Sequence, residues 1–277
     1  MAMDFKFDSK TDLYCIFGNP VSHSKSPLMH NSLFKENKIN AIYLAFNINN
    51  IETGINAVRE LNIKGVSITI PYKEKVIEFL DVVDPEAKEI GAVNTIINNN
   101  GKLFGTNTDW SGGIKPLKQF GIKDKRVGVI GAGGAARAIA YGIKKNQGDL
   151  TIINRNQKNG EHLSSIFNCS FLSLAKIGEK DFDIIVNTTP LGMTPDIKNS
   201  PFDKKYLKKN MIVMDVVYNP LETQLIKDAK NQGCTTIDGL SMFINQGVKQ
   251  FELWTGIKPN IPIINELLMK NILKELK

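Results

Sequence analysis

Between Val127 and Ile143 the run VGVI-GAGGAA-RAIAYGI sets a glycine turn between an apolar strand-like segment and an alanine-rich helical one. Residue types and spacing follow the G-x-G-x-x-A form of the dinucleotide fingerprint. Gly131 permits a tight turn, Gly133 lets a pyrophosphate approach the backbone, and Ala136 allows close helix–strand packing. The turn residues Gly131, Ala132, Gly133, Gly134 and Ala135 are therefore candidate cofactor contacts. The helix start behind them offers free N–H groups and a positive dipole end to phosphate. A tightly packed, ligand-free turn is the plain alternative. The following strand, LTIIN (150–154), ends in Asn154-Arg155, with no carboxylate before Glu161 and Asp149 at its far end. An acid there would accept the ribose 2′-hydroxyl of NAD, whereas an arginine suits a 2′-phosphate. Asn154, Arg155 and Lys158 thus point to NADP.

Other chemistry is poorly represented. Cys15, Cys169 and Cys234 are odd in number, far apart and without a CxxC pair, which argues against a disulfide framework or a cysteine zinc site. His23, His30 and His162 form no metal-ligand spacing, so no metal is expected. The formal charge of +7 comes from scattered lysines without interleaved aromatics, which reads as solvated surface rather than a nucleic-acid face. An anionic small ligand is compatible with it.

These residues need elements to position them. The 277-residue chain is 42% hydrophobic and 23% charged, values of an ordinary globular protein with room for one large or two medium domains. No run approaches the roughly 18–20 apolar residues of a membrane span, and MAMDFKFDSKTD lacks the apolar block of a secretion signal, so a cytoplasmic protein is expected. Strands are expected at 13–18, 41–47 and 65–70, with helices at 26–38, 51–62 and 72–80. AVNTII and KLFGTN, joined by Asn-Asn-Asn-Gly, predict a β-hairpin. This alternation predicts an α/β layer with parallel pairing. A second α/β unit begins near Lys125, with strands at 126–130, 150–154, 183–187, 211–216 and 234–237 and a weaker one at 169–172. That number suits a doubly wound, Rossmann-type parallel sheet. From Gly239 the pattern is helical, interrupted only at Gly256–Pro262.

GNPVSHSKSPLMHN (18–31), GVSITIPYKE (65–74), GAVNT (91–95), GTNTDWSG (105–112), GAGGAARA (131–138), NTTPLGM (187–193) and DGLSMFINQG (238–247) occur in that order. Together they resemble the shikimate dehydrogenase family across nearly the whole chain. The resemblance implies two domains around a cleft, a substrate-binding catalytic domain (1–109 with 242–277) and an NADP-binding Rossmann domain (110–241). It also implies reversible reduction of 3-dehydroshikimate to shikimate by NADPH, in aromatic amino-acid biosynthesis, by a monomer or homodimer with no membrane or nucleic-acid partner.

Residue by residue, the resemblance makes Lys73 and Asp109 the acid–base pair, with Asp109 orienting Lys73 and binding a neighbouring hydroxyl. Ser24, Ser26 and Tyr218 match carboxylate-binding residues, and Thr69, Asn94 and Gln246 match residues that hydrogen-bond the hydroxyls. Thr188 lies in the stretch resembling the loop at the nicotinamide ribose. Gly239 and Met242 fall in the DGLSMFINQG motif, where Met242 is expected to pack the core or the nicotinamide pocket. Each has a plainer reading: Ser26 before Pro27 is a candidate helix cap, Lys73 an ordinary solvated lysine, and Gln246 an exposed helix position. Three residues depart from the family pattern. Ser67 stands where asparagine is common, Asn156 replaces a threonine, and Asn159 falls where a second basic residue is frequent. The rival readings are a quinate/shikimate dehydrogenase using NAD or both cofactors, and a non-catalytic dinucleotide sensor.

Overall fold

A computed structural model describes residues 7–275, with side chains to 272. The described residues fold into two units: one extends to Thr108 and takes up Gly247–Lys270, the other is Asp109–Gln246 with the described residues from Asn271.

The first unit is built on β1 (Asp12–Gly18), α1 (Ser26–Glu36), β2 (Ala41–Asn47), α2 (Ile51–Glu60) and β3 (Gly65–Ile68). Next come β4 (Val82–Val83), α3 (Pro85–Ile90), β5 (Thr95–Asn99) and β6 (Lys102–Thr106). The sheet order is β2-β1-β3-β5-β6-β4. β1 pairs in parallel with β2 and β3, as expected, and the sheet is mixed beyond them because β5 runs antiparallel both to its hairpin partner β6 and to β3. The predicted hairpin is β5–β6, turned by Asn100 (φ 51°) and Gly101 (φ 89°), two positive-φ residues as a type I′ turn requires. The helix expected over 72–80 is only a 3₁₀ turn, Lys75–Phe79. Its continuation is drawn into the sheet: Asp81 N–H donates to Leu103 O, and the Asp81 carboxylate accepts Leu103 N–H at 2.7 Å. Helix α3, not among the expected helices, has clear local signals: Asp84 caps it by accepting Ala87 N–H, Pro85 opens it, and left-handed Gly91 ends it.

The second unit contains α4 (Asp109–Lys118), β7 (Arg126–Ile130), α5 (Gly134–Lys145), β8 (Asp149–Asn154), α6 (Gln157–Ile166) and β9 (Ser170–Ser173). It continues through β10 (Ile184–Asn187), β11 (Ile212–Asp215), α7 (Gln224–Asn231) and β12 (Thr235–Ile237). All its strands pair in parallel, in the order β12-β11-β10-β7-β8-β9. That is the doubly wound 3-2-1-4-5-6 arrangement. Alternate residues of one strand feed opposite cores. Ile184 and Val186 pack with Ile139 and Ile143 of α5, while Ile185 packs with Leu225 and Ala229 of α7. Burial on both faces explains why β7, β8, β10 and β11 read as largely apolar runs, which the edge strands β9 and β12 do not.

Helix α8 (Gly239–Thr255) contains the division between units, and α9 (Ile261–Glu275) follows a break at 256–260. Among the described residues no helix is long and apolar enough to cross a membrane.

Candidate active site

In the second unit the glycine turn stands where an open α/β sheet binds ligands, beyond the carboxyl end of its first strand. Gly131 has φ 120° and its N–H donates to Ile153 O at 2.8 Å. A Cβ on Gly131 would fall 2.4 Å from Thr188 Oγ1, so the turn demands glycine twice over. Thr188 in turn donates its hydroxyl to Ile130 O at 2.6 Å, which clasps the 187–193 loop to the turn. Gly133 caps α5 with extended backbone and no side chain, and open space lies where its Cβ would be. Free amides, a positive helix end and that open space suit a pyrophosphate.

At the end of β8, Asp149 is the first residue of the strand, opposite the turn. Arg155 and Lys158 are exposed beside it, and Asn154 Nδ2 donates to Asn156 O at 2.9 Å. Asn156 caps α6 by accepting Asn159 N–H at 3.0 Å, so this departure from the family threonine keeps a capping side chain. The set presents cations and no carboxylate, which fits a 2′-phosphate.

Further along this unit Tyr218 stacks on Phe243 at 4.5 Å between centroids, and Gly239 lies against the carbonyls of Val216 and Val217. Met242 is buried in the apolar core with Ile139. Gln246 is buried too, its Nε2 donating to Phe243 O, which removes the exposed-helix reading. Asp109 is buried at the first turn of α4, where the positive end of a helix favours a carboxylate.

The first unit gathers Ser24, Ser26, Thr69, Lys73 and Asn94 around the carboxyl ends of β1 and β3. Thr69 N–H donates to Phe17 O, Asn19 N–H to Ile70 O, Ile68 N–H to Asn94 O, and Val93 N–H to Lys73 O. Lys73 is half-buried whereas Lys75 is exposed, a difference the heptapeptide around them does not reveal. Ser26 is not a cap: α1 follows Lys25 without any side-chain cap, and Ser24 Oγ accepts Ser26 N–H at 3.2 Å instead. Ser67 is buried among protein groups, accepting from Tyr43 Oη at 2.6 Å and donating to Gln250 Oε1 at 3.0 Å. Its short side chain reaches inward, and Gln250, absent from the sequence-derived candidates, completes its bonding.

Fold and turn together define a two-domain, dinucleotide-binding oxidoreductase. Three family models match the chain: the shikimate dehydrogenase substrate binding domain over residues 16–96, shikimate / quinate 5-dehydrogenase over 116–242, and the shikimate 5′-dehydrogenase C-terminal domain over 239–269. Shikimate dehydrogenase (NADP(+)) of Methanococcus aeolicus is 41% identical over 274 residues, covering 95% of this chain and 98% of that protein. A crystal structure of shikimate dehydrogenase in complex with NADP+ superposes with a TM-score of 0.92 at 38% identity, over 98% of this chain and 99% of the other. The Thermus thermophilus enzyme in complex with NADP(H) and shikimate gives 0.86 at 33% identity, over 94% and 99%. The chain belongs to the shikimate dehydrogenase family.

Proposed function

We propose that this protein is an NADP-dependent shikimate dehydrogenase that interconverts 3-dehydroshikimate and shikimate, the unit around β1–β6 holding the substrate and the doubly wound unit holding the cofactor. The observation that carries the reading is the gathering of Thr69, Lys73 and Asn94 with the Ser24–Ser26 loop at the carboxyl ends of β1 and β3. Every one of them bears a group suited to a small hydroxylated carboxylate.

NADPH, held by the glycine turn with Arg155 and Lys158 toward its 2′-phosphate, would supply the hydride for the ketone. Lys73 gives a proton to the oxygen as charge develops on it, and takes one back in the reverse direction. Asp109 orients that ammonium and accepts a neighbouring substrate hydroxyl. Ser24, Ser26 and Tyr218 hold the carboxylate, helped by the positive end of α1, which no side chain caps. Thr69, Asn94 and Gln246 hold the hydroxyls. Thr188, Gly239 and Met242 border the nicotinamide. The protein works in the cytoplasm as a monomer or homodimer, in the biosynthetic direction.

Purified protein with shikimate and NADP⁺ is expected to reduce the nicotinamide rapidly, followed by absorbance, while quinate or NAD⁺ gives little signal. Comparable rates with NAD⁺ or quinate would instead assign the dual-substrate relative. No reduction with any pair would leave a dinucleotide-binding sensor.

A further inference from the structure

Within the first unit a buried chain of hydrogen bonds runs from Tyr43 to Asn94, and its direction is set by backbone groups that have no choice of role. Asn94 O is an acceptor only. It takes Ile68 N–H at 2.8 Å and the Gln250 side chain at 3.1 Å, so the Gln250 atom facing it is Nε2. Gln250 Oε1 therefore faces Ser67, Ser67 donates to it at 3.0 Å, and Tyr43 donates to Ser67 at 2.6 Å. Burial raises the Tyr43 phenol well above its ordinary pKa, which favours the protonated, donating form. Gln250 Nε2 also donates to Thr95 Oγ1 at 3.0 Å, and Thr95 passes its own proton to Asn94 Oδ1 at 2.7 Å. From the other side Thr108 N–H, a donor only, meets Asn94 Oδ1 at 2.7 Å. Asn94 Nδ2 gives one N–H to Thr108 Oγ1 at 2.9 Å. Tyr43, Ser67, Asn94, Thr95, Thr108 and Gln250 are all buried, so water does not compete for these bonds.

We propose that Gln250 is a positioning residue for the substrate site, holding Asn94 with its amide oxygen turned into the protein so that Asn94 meets the ligand only as a hydrogen-bond donor. The ligand oxygen at that point must accept, and the proton of a ligand hydroxyl there must go to a different acceptor. The inference rests on the reading of Asn94 as a substrate contact. It adds a specificity rule: an oxygen that accepts is bound there, and a group that only donates is refused.

The test is a double-mutant cycle read by steady-state kinetics with shikimate and NADP⁺. Gln250→Met keeps the side-chain length and removes both donors. It is expected to raise KM for shikimate about tenfold while KM for NADP⁺ stays within about twofold, the loss of roughly one buried hydrogen bond's worth of binding. Asn94→Ala is expected to raise KM for shikimate at least as much, and the double variant no further than Asn94→Ala alone. Additive losses in the double variant, or an unchanged KM for shikimate in Gln250→Met, would overturn the positioning role. An unchanged KM for shikimate in Asn94→Ala would overturn the site reading itself, a separately visible failure. Should Gln250→Met not fold, Tyr43→Phe breaks the same relay at its far end. A rise of about threefold, abolished when Asn94 is already alanine, supports the proposal, and a rise that persists there rejects it.

Discussion

Asn187 Nδ2 donates to Asp215 Oδ1 at 2.9 Å, a bond between the last residues of β10 and β11 with both side chains fully buried. The same carboxylate accepts Val217 N–H at 3.0 Å and Thr223 Oγ1 at 2.7 Å. Asn187 Oδ1 in turn accepts both the N–H and the hydroxyl of Thr189. One carboxylate thus ties the 187–193 loop to the turn carrying Tyr218 and to the cap of α7. Asp215→Ala leaves three donors unsatisfied and is expected to cost about 3–5 kcal/mol in urea unfolding. Asp215→Asn, which keeps the shape, is expected to cost distinctly less. Equal losses from both would show that the hydrogen bonds are not what matters.

Two buried groups make opposite contributions to the pH dependence of stability. Burial pushes His30, stacked on Tyr43 at 4.5 Å between centroids, down from 6.5 to about 3, against a smaller upward pull from Gln250. Between those values the unfolded chain binds a proton that the folded one does not, so the His30 contribution is full above about pH 6.5 and is lost as pH falls. Burial pushes Asp215 the other way, from 3.8 up to about 6, partly offset by its three donors. Its contribution is full below about pH 3.8 and is lost as pH rises to about 6. Each slope is roughly 1.4 kcal/mol per pH unit, and between pH 4 and 6 they oppose. Relative to the wild type, Asp215→Asn should therefore gain stability progressively as pH rises from 4 to 6, and His30→Phe should gain it as pH falls. Difference curves that are flat across this range would refute both assignments.

At the proposed acid–base lysine, Lys73→Ala is expected to lower kcat by about 10²–10⁴-fold with little change in the dissociation constant for shikimate. Lys75→Ala, on the exposed side of the same turn, serves as the control and should stay within about twofold. Fluorescence titration beside the kinetics separates binding from turnover. Equal turnover in Lys73→Ala would remove the lysine from the chemistry.

At the cofactor end, Arg155→Asp replaces a cation with the acid that suits a free ribose 2′-hydroxyl. It should raise KM for NADP⁺ by about 10–100-fold and lower that for NAD⁺, moving the ratio of kcat/KM values towards NAD⁺. Unchanged discrimination would place the 2′-phosphate contacts elsewhere, with Lys158→Ala the next variant to read.

The legible part of this protein was local. The glycine turn, the strand before it and the helix after it are consecutive in sequence, and each was recognisable by chemistry that acts over a few residues. The Asn100-Gly101 hairpin was legible for the same reason, because only residues tolerant of positive φ make that turn. Strands β7, β8, β10 and β11 are legible as apolar runs because both of their faces are covered, whereas the edge strands β9 and β12 are partly exposed.

What depended on distant neighbours was hidden. The 72–80 segment has the composition of a helix, but Asp81 joining the backbone of Leu103 cuts it to a single 3₁₀ turn. The hairpin partner of β5 is local, but the antiparallel pairing of β5 with β3 on the other side depends on where the hairpin docks in the sheet. Gln250 and Ser67 are 183 positions apart, and a glutamine in a helix or a serine in a strand carries no local mark of burial. Their roles follow from matching donors to acceptors across elements. That matching exists only once tertiary packing has excluded water and left each polar group its partners, whereas the sequence by itself determined which groups were available to be matched.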